Sequence, residues 1–342
     1  MIKYKEQRQL CFDDILMVPQ TSGVQSRSDI DLRMPFGKGS HLSFPVIAAP
    51  MDTVCEEDMA VAIAKAGGLG ILHRFMDIKK QQRMVQNLCL QGLPVGASVG
   101  AKGTYLEDAG KLLLSGASVI LVDTANGHSS YAVEAVKKLR DAFGDNFHLM
   151  AGNVSTKFGF EALSEAGADS IRVGIGGGSV CTTRLVSGHG IPTLASVMEI
   201  KEWKERYDVK TSIVADGGIR NTGDMIKAFA AGADTVMLGS MLSGTDESPG
   251  SIRIDENGKY KSFRGMASKE ANEGKDIPIA EGVATRVAYK GSVNDILTNI
   301  RGGLGSGCSY SGEHNLRDLY DGSMYIEVSS LSVSESKPHA LG

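Results

Sequence analysis

Eight short apolar runs recur along the chain, and their regular alternation with helical segments constrains the fold more than any other feature. The runs occupy residues 45–49, 69–73, 95–100, 118–123, 148–153, 170–174, 212–216 and 235–240. Apolar residues at helical spacing lie between them, in stretches such as 56–65, 106–114, 131–143, 159–166 and 222–231. Continuous apolar strands that alternate with amphipathic helices are typical of a parallel sheet covered by helices.

We therefore predict an α/β chain folded as a (β/α)₈ TIM barrel, because eight such units fit into about 200 residues. An open doubly wound sheet is the alternative, since periodicity does not show closure. Residues 1–342 are expected to form one domain, with a lead-in at 1–45, a barrel core at 46–265, a flap at 267–280 and a tail at 329–342. The polar flap should act as a lid, and the Ser-rich tail should be poorly ordered unless a neighbouring subunit or a cofactor holds it.

Glycines and polar side chains cluster where the apolar runs end. The clusters are 51–53, 123–127, Asn153, 174–184, 216–218 and 239–240. In a barrel the carboxyl ends of all strands share one face, where ligands bind. Residues that are far apart in sequence should therefore converge there, which is the strongest physical reason to expect an enzyme.

The stretch 174–184, which reads GIGGGSVCTTR, is the richest of these clusters. Its glycines allow positive φ and a close approach of the backbone to a ligand. Cys181 stands between the hydroxyls of Ser179 and Thr183, as suits a nucleophile held beside backbone donors. The alternative is a flexible loop with an inert cysteine, because a free cysteine often behaves as a small hydrophobe.

Two further clusters have the features of phosphate cradles. Asp216-Gly-Gly218 and Gly239-Ser240 follow the seventh and eighth runs, where barrels often offer backbone N–H groups to a phosphate. Asp216 is itself an anion, so it should accept hydrogen bonds from sugar hydroxyls instead. The two glycines after a strand are equally consistent with a simple tight turn.

Composition excludes several other classes of function. A net charge of −4 with interspersed acids and bases predicts binding neither to nucleic acid nor to an anionic membrane. No signal sequence or membrane-spanning run is present, and five scattered cysteines without CxxC pairs indicate a reducing, cytoplasmic location. The seven histidines never pair at metal-ligand spacing, so we expect no transition metal; His73 should be a hydrogen-bonded structural residue.

Several motifs together make the chain resemble the IMP dehydrogenase/GMP reductase family along about 330 of its residues. They are FDDIL at 12–16, PMDTV at 50–54, GNV at 152–154, GSVCTTR at 178–184, ADGGI at 215–219, GTDESPG at 244–250, YKG at 289–291 and GGL at 302–304. A TIM barrel and a homotetramer are what this resemblance implies for the fold and the assembly.

The resemblance also implies roles for individual residues. Cys181 matches the nucleophile that attacks C2 of a purine nucleotide, and Thr183 and Glu281 match a dyad that handles protons there. The matching positions for the nucleotide are Met51, Ser179, Asp216, Gly218, Gly239, Ser240 and Met266. Asp123 and Asn153 match the nicotinamide side, and the carbonyls of Gly176, Gly178 and Cys181 match a K⁺ site of the dehydrogenases.

The family has two branches, and the sequence favours the reductase branch. Dehydrogenases oxidise IMP to XMP with NAD, and they resemble one another in a longer flap whose Arg-Tyr pair helps to activate water. The stretch 267–280 is short and contains neither arginine nor tyrosine. The CBS pair that usually interrupts the dehydrogenase barrel is also absent, which is the weaker indication. We therefore expect a GMP reductase that uses NADPH to convert GMP to IMP and ammonia.

Other features keep two alternatives open. The segments 125–127, 150–153 and 308–310 are closer to reductases, whereas 215–220, 247–250 and 335–339 look more like dehydrogenases. A compact IMP dehydrogenase, or a nucleotide-binding homologue with little activity, are the alternatives. The chain also departs from both branches at four positions: Gly177 replaces a usual proline, Phe263 a usual phosphate-binding tyrosine, and His189 and Thr193 interrupt a Gly-Val-Gly-x-Pro-Gln pattern. The short Tyr-Arg segment that reductases carry before the catalytic Glu is missing as well. These departures bear on the base contacts, the affinity and the exact purine substrate.

Overall fold

A closed barrel of eight parallel strands forms the centre of the molecule. The computed structural model describes residues 8–37, 39–272 and 279–337. The strands, numbered here around the barrel, are β1 Val46–Ala48, β2 Leu69–Leu72, β3 Gly96–Val99, β4 Val119–Asp123, β5 His148–Val154, β6 Ser170–Val173, β7 Ser212–Asp216 and β8 Thr235–Leu238. Because β8 pairs in parallel with β1, Val236 opposite Val46, the sheet closes on itself. The predicted TIM barrel is confirmed, and the open sheet is excluded.

One helix covers the barrel after each strand. The helices are α1 Glu57–Lys65, α2 Ile78–Leu90, α3 Tyr105–Leu114, α4 Ser130–Phe143, α5 Lys157–Glu165, α6 Thr193–Arg206, α7 Thr222–Ala230 and α8 Val293–Ser311. Side-chain caps fix several starts: Asp77 accepts from the Lys79 N–H, and Asn221 accepts from the Asp224 N–H. The last helix lies beyond residue 265, where the predicted barrel core ended, because α8 is separated from β8 by a long excursion.

Short strands, short helices and 3₁₀ turns lie outside the barrel. Two antiparallel pairs join Ile15–Val18 to Met324–Glu327 and Met34–Pro35 to His41–Leu42. A three-stranded sheet of Arg253–Asp255, Gly258–Arg264 and Ala284–Ala288 lies in the excursion before α8. The short helices are Thr183–Ser187, Leu319–Gly322 and Ser332–Glu335, and the 3₁₀ turns are Phe12–Asp14, Arg27–Asp29, Glu270–Asn272 and Leu316–Asp318.

The predicted tail begins with a short helical turn, and its degree of order stays a prediction. In Ser332–Glu335 the Ser336 N–H donates to the Ser332 carbonyl at 2.8 Å, which closes a helical turn. Residues 338–342 of the tail and 273–278 of the predicted flap lie outside the described residues. In the part of the chain that is described, no helix is long and apolar enough to span a membrane.

The hydrophobic core has two parts. The larger part lies between the strands and the surrounding helices, and the smaller part fills the barrel itself. Phe36 and Leu42, from the lead-in, enter the smaller part at the amino ends of the strands. Phe36 stacks on His148, the first residue of β5, with ring centroids 4.0 Å apart. The lead-in therefore closes one end of the barrel and leaves the other end for the site.

Candidate active site

The cysteine loop, residues 174–182, leaves β6 at the carboxyl face of the barrel. Gly174 and Gly176 have φ of 145° and 84°, which favours glycine. A Cβ atom on Gly174 would lie 1.9 Å from the carbonyl oxygen of Asp216, so only glycine allows β6 to continue into this loop. The loop ends in the short helix Thr183–Ser187. The backbone thus holds Cys181 at the mouth of the barrel.

Within this loop the thiol has a defined partner. The Cys181 Sγ donates to the Thr183 hydroxyl oxygen at 3.2 Å, and the Cys181 N–H donates to the Gly178 carbonyl at 3.1 Å. The Cys181 side chain is half-buried, so a ligand can reach it. Cys55 and Cys308 are instead fully buried, and burial raises the pKa of each to about 12. Neither of these would ionise near neutral pH, which leaves them as packing residues.

Glu281 reaches the cysteine loop through a short antiparallel contact. The Thr182 N–H donates to the Glu281 carbonyl at 3.0 Å, and the Val283 N–H donates to the Val180 carbonyl at 3.0 Å. Cys181 and Gly282 pair as an isolated bridge between these bonds. The structure therefore brings together Cys181, Thr183 and Glu281, which are distant along the chain; the proton-handling role of the dyad stays a prediction.

The loops after β6 and β7 touch through glycine backbones. A Cβ atom on Gly217 would lie 3.2 Å from the Gly178 nitrogen, and one on Gly218 would lie 3.6 Å from the Gly177 carbonyl oxygen. Ser179 is exposed at the tip of the cysteine loop. The structure thus brings Gly178 and Gly218, two of the predicted ligand positions, to the same spot.

The loops after β8 and β1 form a neighbouring part of the face. The Leu242 and Ser243 N–H groups both donate to the Gly239 carbonyl, so the residues after β8 form a helical turn. A Cβ atom on Gly239 would lie 3.3 Å from the Met51 sulfur, which places these two predicted ligands together. Lys290 fixes the same turn, because its ammonium donates to the Ser240 carbonyl at 2.6 Å.

Met266 lies beside the loop that follows β1. Its sulfur lies 3.4 Å from the Asp52 backbone nitrogen, one residue after Met51. Arg264, two residues earlier, forms a salt bridge to the Asp52 carboxylate. Met51 and Met266, two of the predicted nucleotide ligands, therefore belong to one wall of the site, which the salt bridge between Asp52 and Arg264 holds in place.

Asp123, Asn153 and Asp216 belong to one buried network, whose centre the sequence did not reveal. Arg172 donates to Asp216 at 2.9 Å and to Asp123 at 2.6 Å. Asn153 donates to Asp216 at 2.7 Å and to the Gly174 carbonyl at 2.8 Å. Arg172 is 8% exposed and lies on β6 among apolar residues. A charged residue inside an apolar strand was the signal that could have identified it.

The charges of this network are mutually stabilising. Burial alone would lower the pKa of Arg172, yet the carboxylates of Asp216 and Asp123 outweigh that effect and raise its pKa. Arg172 therefore stays a cation and connects the predicted sugar side of the site to the predicted nicotinamide side. Arg74 adds a second contact to Asp123 at 3.4 Å.

His73 ends β2 on this face but takes a structural role, as predicted. Its Nδ1 accepts from the Phe75 N–H at 3.2 Å, so its Nε2 donates to Glu56 at 3.1 Å. Lys80 donates to the same carboxylate at 2.9 Å. The pKa of Glu56 is lowered by the His73 hydrogen bond first and by Lys80 next, against the opposing effect of burial.

The described part of the chain offers no side-chain cluster that suits a transition metal. Within those ranges, no group of three or more His, Cys, Asp or Glu side chains could hold a metal ion. The carbonyls of Gly176, Gly178 and Cys181 lie on the cysteine loop, and that of Gly178 already accepts one hydrogen bond from the Cys181 N–H. The K⁺ site stays a prediction.

A groove of about 860 Å³ lies away from this face, beside α6 and α7. It is lined by aromatic side chains such as Trp203 and Tyr320 and by acids and bases in mixture. Arg8 pairs with Glu327 and Arg206 with Glu202, which leaves little net charge for an anionic ligand. The cysteine, the glycine backbones and the buried network all lie elsewhere.

Nearly the full length of the chain matches known proteins of one family. Residues 9–339 match the family model described as the IMP dehydrogenase / GMP reductase domain. The chain belongs to this family. Its members include nicotinamide-dependent oxidoreductases of purine nucleotides, so the predicted family and class of enzyme are confirmed.

The similar proteins carry both names. The inosine-5'-monophosphate dehydrogenase of Nitrosopumilus maritimus is 32% identical, over 96% of this chain and 98% of that protein. The GMP reductase of Leishmania major is 30% identical, over 96% of each. A solved structure, a cysteine-to-alanine variant of GMP reductase from Trypanosoma brucei in complex with guanosine 5'-monophosphate, superposes with a TM-score of 0.91 at 29% identity, covering 98% of both chains.

Chain length does not separate the two names. The alignments to the N. maritimus dehydrogenase and the L. major reductase run over 468 and 477 positions, more than the 342 residues of this chain. Relatives with either name therefore carry segments that this chain lacks. The compactness of the chain accordingly gives no support to either activity.

Proposed function

We propose that this protein is a GMP reductase, which uses NADPH to convert GMP to IMP and ammonia. The observation that carries the proposal is the flap at 267–280, which contains no arginine or tyrosine. A dehydrogenase must hydrolyse a covalent thioimidate and so needs a group that activates water, whereas a reductase needs none. The neighbouring arginines are engaged elsewhere: Arg264 binds Asp52, Arg172 binds Asp216, and Arg184 donates to the Ile191 carbonyl.

Cys181 is the proposed nucleophile. Its thiolate adds to C2 of GMP, and the exocyclic amine leaves with a proton as ammonia, which gives a thioimidate with a C2–S bond. A hydride then forms the new C2–H bond while the C2–S bond breaks, and IMP leaves. The reaction consumes GMP, NADPH and two protons, and it releases IMP, NADP⁺ and ammonium.

Thr183 and Glu281 are proposed to move the protons of the first half-reaction. Thr183 already accepts the Cys181 S–H hydrogen bond at 3.2 Å, so it can take the thiol proton as the sulfur attacks. Glu281 is half-buried, and its carbonyl accepts from the Thr182 N–H, so its backbone is fixed next to the residue that precedes Thr183. The departing amine would receive its proton from this pair.

The nucleotide is proposed to lie across the loops after β6, β7 and β8. The backbone groups of Gly218 and Gly239, with Ser179 and Ser240, would receive the phosphate. In the described part of the chain, the side-chain hydrogen bonds to Asp216 all end on Oδ2, so Oδ1 is open to a ribose hydroxyl. The similar T. brucei structure, which contains guanosine 5'-monophosphate, supports a purine nucleotide as the ligand.

The nicotinamide is proposed to bind beside Asp123 and Asn153. Both side chains lie at the carboxyl face and are held by Arg172 and by Gly174, so they are rigid enough to orient a planar ring. Bound there, the reduced nicotinamide would supply the hydride. A K⁺ on the carbonyls of Gly176, Gly178 and Cys181, a homotetrameric assembly and a cytoplasmic location complete the proposal.

A compact IMP dehydrogenase is the second candidate. It is favoured by relatives of that name that are 32% and 34% identical, against 30% for the L. major reductase. Such an enzyme would use Cys181 in the same way but would transfer hydride from IMP to NAD and then hydrolyse the adduct. The Thr183–Glu281 pair would have to activate the water.

Nicotinamide absorbance in two parallel mixtures decides between these candidates. Purified protein is supplied with GMP and NADPH in one, and with IMP and NAD in the other. Loss of NADPH together with release of ammonia and IMP is the expected result. Formation of NADH and XMP would instead establish the dehydrogenase, and no turnover in either mixture would contradict both.

A further inference from the structure

Thr193 begins helix α6 with a buried hydroxyl that lacks a hydrogen-bond partner among the described residues. The residue is 4% exposed, and its Oγ1 makes no hydrogen bond in that part of the chain. An unpaired buried hydroxyl costs roughly 1–3 kcal/mol, so a second state in which this hydroxyl finds a partner would be favoured by a similar amount. The surroundings of the hydroxyl indicate which state that is.

The Thr193 hydroxyl faces the root of the cysteine loop. A Cβ atom on Gly177 would lie 2.9 Å from Thr193 Oγ1, and one on Gly174 would lie 3.1 Å from it. Ile175 pairs with Ile191 as an isolated bridge, which ties the same loop to the segment just before α6. Thr193 can therefore approach the loop backbone only because glycine stands at these positions.

This contact joins two positions that the sequence singled out separately. Gly177 and Thr193 both depart from the pattern of the family, although about 16 positions separate them along the chain. The structure shows that they face each other. A side chain at 177 would fill the space in front of the hydroxyl, so the two departures form one feature.

The loop varies in burial from its root to its tip. Gly174 is buried, Gly177 is half-buried, and Gly178 and Ser179 are exposed. On the opposite side of the loop, a Cβ atom placed on Gly217 would lie 3.2 Å from the Gly178 nitrogen. The loop thus lies between Thr193 and the proposed phosphate cradle after β7.

We propose that Thr193 is a positioning residue for the nucleotide-bound state: its hydroxyl hydrogen-bonds the backbone of residues 174–178 once the nucleotide draws in the loop, and so fixes Ser179 and Cys181. This inference rests on the proposed function for its ligand, a purine nucleoside monophosphate. It assigns to Thr193 no contact with the ligand itself.

The test compares a pair of isosteric variants. Thr193→Val removes the hydroxyl and keeps the shape, and Thr235→Val does the same at β8, where Thr235 is fully buried and its hydroxyl also lacks a partner among the described residues. Binding of GMP and of IMP is measured by calorimetry for each, together with the melting temperature. Thr193→Ser serves as the conservative variant that restores the hydroxyl.

Both valine variants should melt at or above the temperature of the unaltered protein, because each loses a buried hydroxyl that is costly to leave unpaired. Only Thr193→Val should bind the nucleotide more weakly, by about tenfold, the value of one hydrogen bond. Thr193→Ser should bind as the unaltered protein does. A merely structural role would instead leave affinity unchanged or weaken it only through a lower melting temperature.

Two outcomes would overturn the inference, and they are distinguishable. Unchanged nucleotide affinity in Thr193→Val, with binding intact in the unaltered protein, would refute the role of Thr193 and leave the proposed function standing. Absence of GMP and IMP binding in the unaltered protein would refute the proposed function, and the inference would fall with it.

Discussion

The two ends of the barrel are built from different kinds of residue: one end is closed by apolar side chains, and the other is lined by glycine loops and charged side chains. At the amino ends of the strands, Phe36 and Leu42 from the lead-in fill the interior, and Phe36 stacks on His148. At the carboxyl ends, the interior is bounded by the glycine loops after β6 and β7 and by the buried Arg172 network. Apolar burial therefore stabilises one end, while the other end carries the charges and close backbone contacts expected of a ligand site.

The two ends also differ in how their buried groups contribute to the free energy of folding. Burial of an aromatic plug is favourable by itself, whereas a buried ion pair must first overcome the loss of hydration of each charge. Arg172, with Asp123 on one side and Asp216 on the other, therefore adds little net stability to the fold. Its value lies in holding two side chains of the site in fixed positions.

The largest expected effect is on chemistry at the carboxyl end. Cys181→Ala should reduce turnover by at least about a thousandfold, because the covalent route is lost. GMP binding, followed by calorimetry, should persist. Cys89→Ala, which removes an exposed thiol from α2, is the matched control and should keep full turnover. Turnover that survives the loss of Cys181 would remove it from the mechanism.

The second effect belongs to the amino end and should act on stability alone. Phe36→Ala opens a cavity in the barrel plug and should lower the free energy of unfolding by about 3–5 kcal/mol in urea titrations. Turnover per folded molecule should stay unchanged. Phe158→Ala, at a residue 61% exposed, should change stability by less than about 0.5 kcal/mol. A catalytic defect in folded Phe36→Ala would contradict the claim that the amino end affects stability alone.

Two buried arginine–aspartate pairs, one at each end, sharpen the comparison further. Arg172→Gln and Arg140→Gln each leave a carboxylate uncompensated, Asp216 in one case and Asp169 in the other. Each variant should lose about 2–4 kcal/mol of unfolding free energy. Only Arg172→Gln should also lower kcat/KM, measured on the folded fraction. Equal catalytic losses in both variants would show that stability alone explains the effect.

The smallest effect concerns a charged group at the carboxyl end that has no part in the proposed chemistry. The pKa of Glu56 is lower in the folded state, so its contribution to stability is present above the unfolded pKa and is lost as the pH falls through the folded pKa. Glu56→Gln should therefore be less stable at pH 7, by about 1 kcal/mol. This difference should shrink as the pH falls below the ordinary pKa of a glutamate and through the lowered pKa of the folded state, in thermal unfolding followed across pH. A difference that persisted at low pH would show that packing, not charge, explains the effect.

The sequence predicted the strands and the cysteine loop well, because both depend on local patterns. Each of the eight predicted runs overlaps a strand of the barrel, and the backbone of Glu281 lies beside the loop that carries Cys181 and Thr183. The role of Arg172 could not be predicted, because its partners Asp123 and Asp216 come from two other strands. The contact between Gly177 and Thr193 was missed for the same reason: it depends on how α6 packs against a loop.

Isotope transfer gives the most direct test of the central claim, that the carboxyl face reduces C2 of a purine nucleotide. The protein is supplied with GMP and with NADPH that carries deuterium at both C4 positions of the nicotinamide, and the product is examined by NMR and mass spectrometry. IMP that carries deuterium at C2 is the predicted result, and ammonia should form in equal amount. Formation of XMP from the parallel mixture of IMP and NAD, with no deuterium transferred from NADPH to GMP, would contradict it.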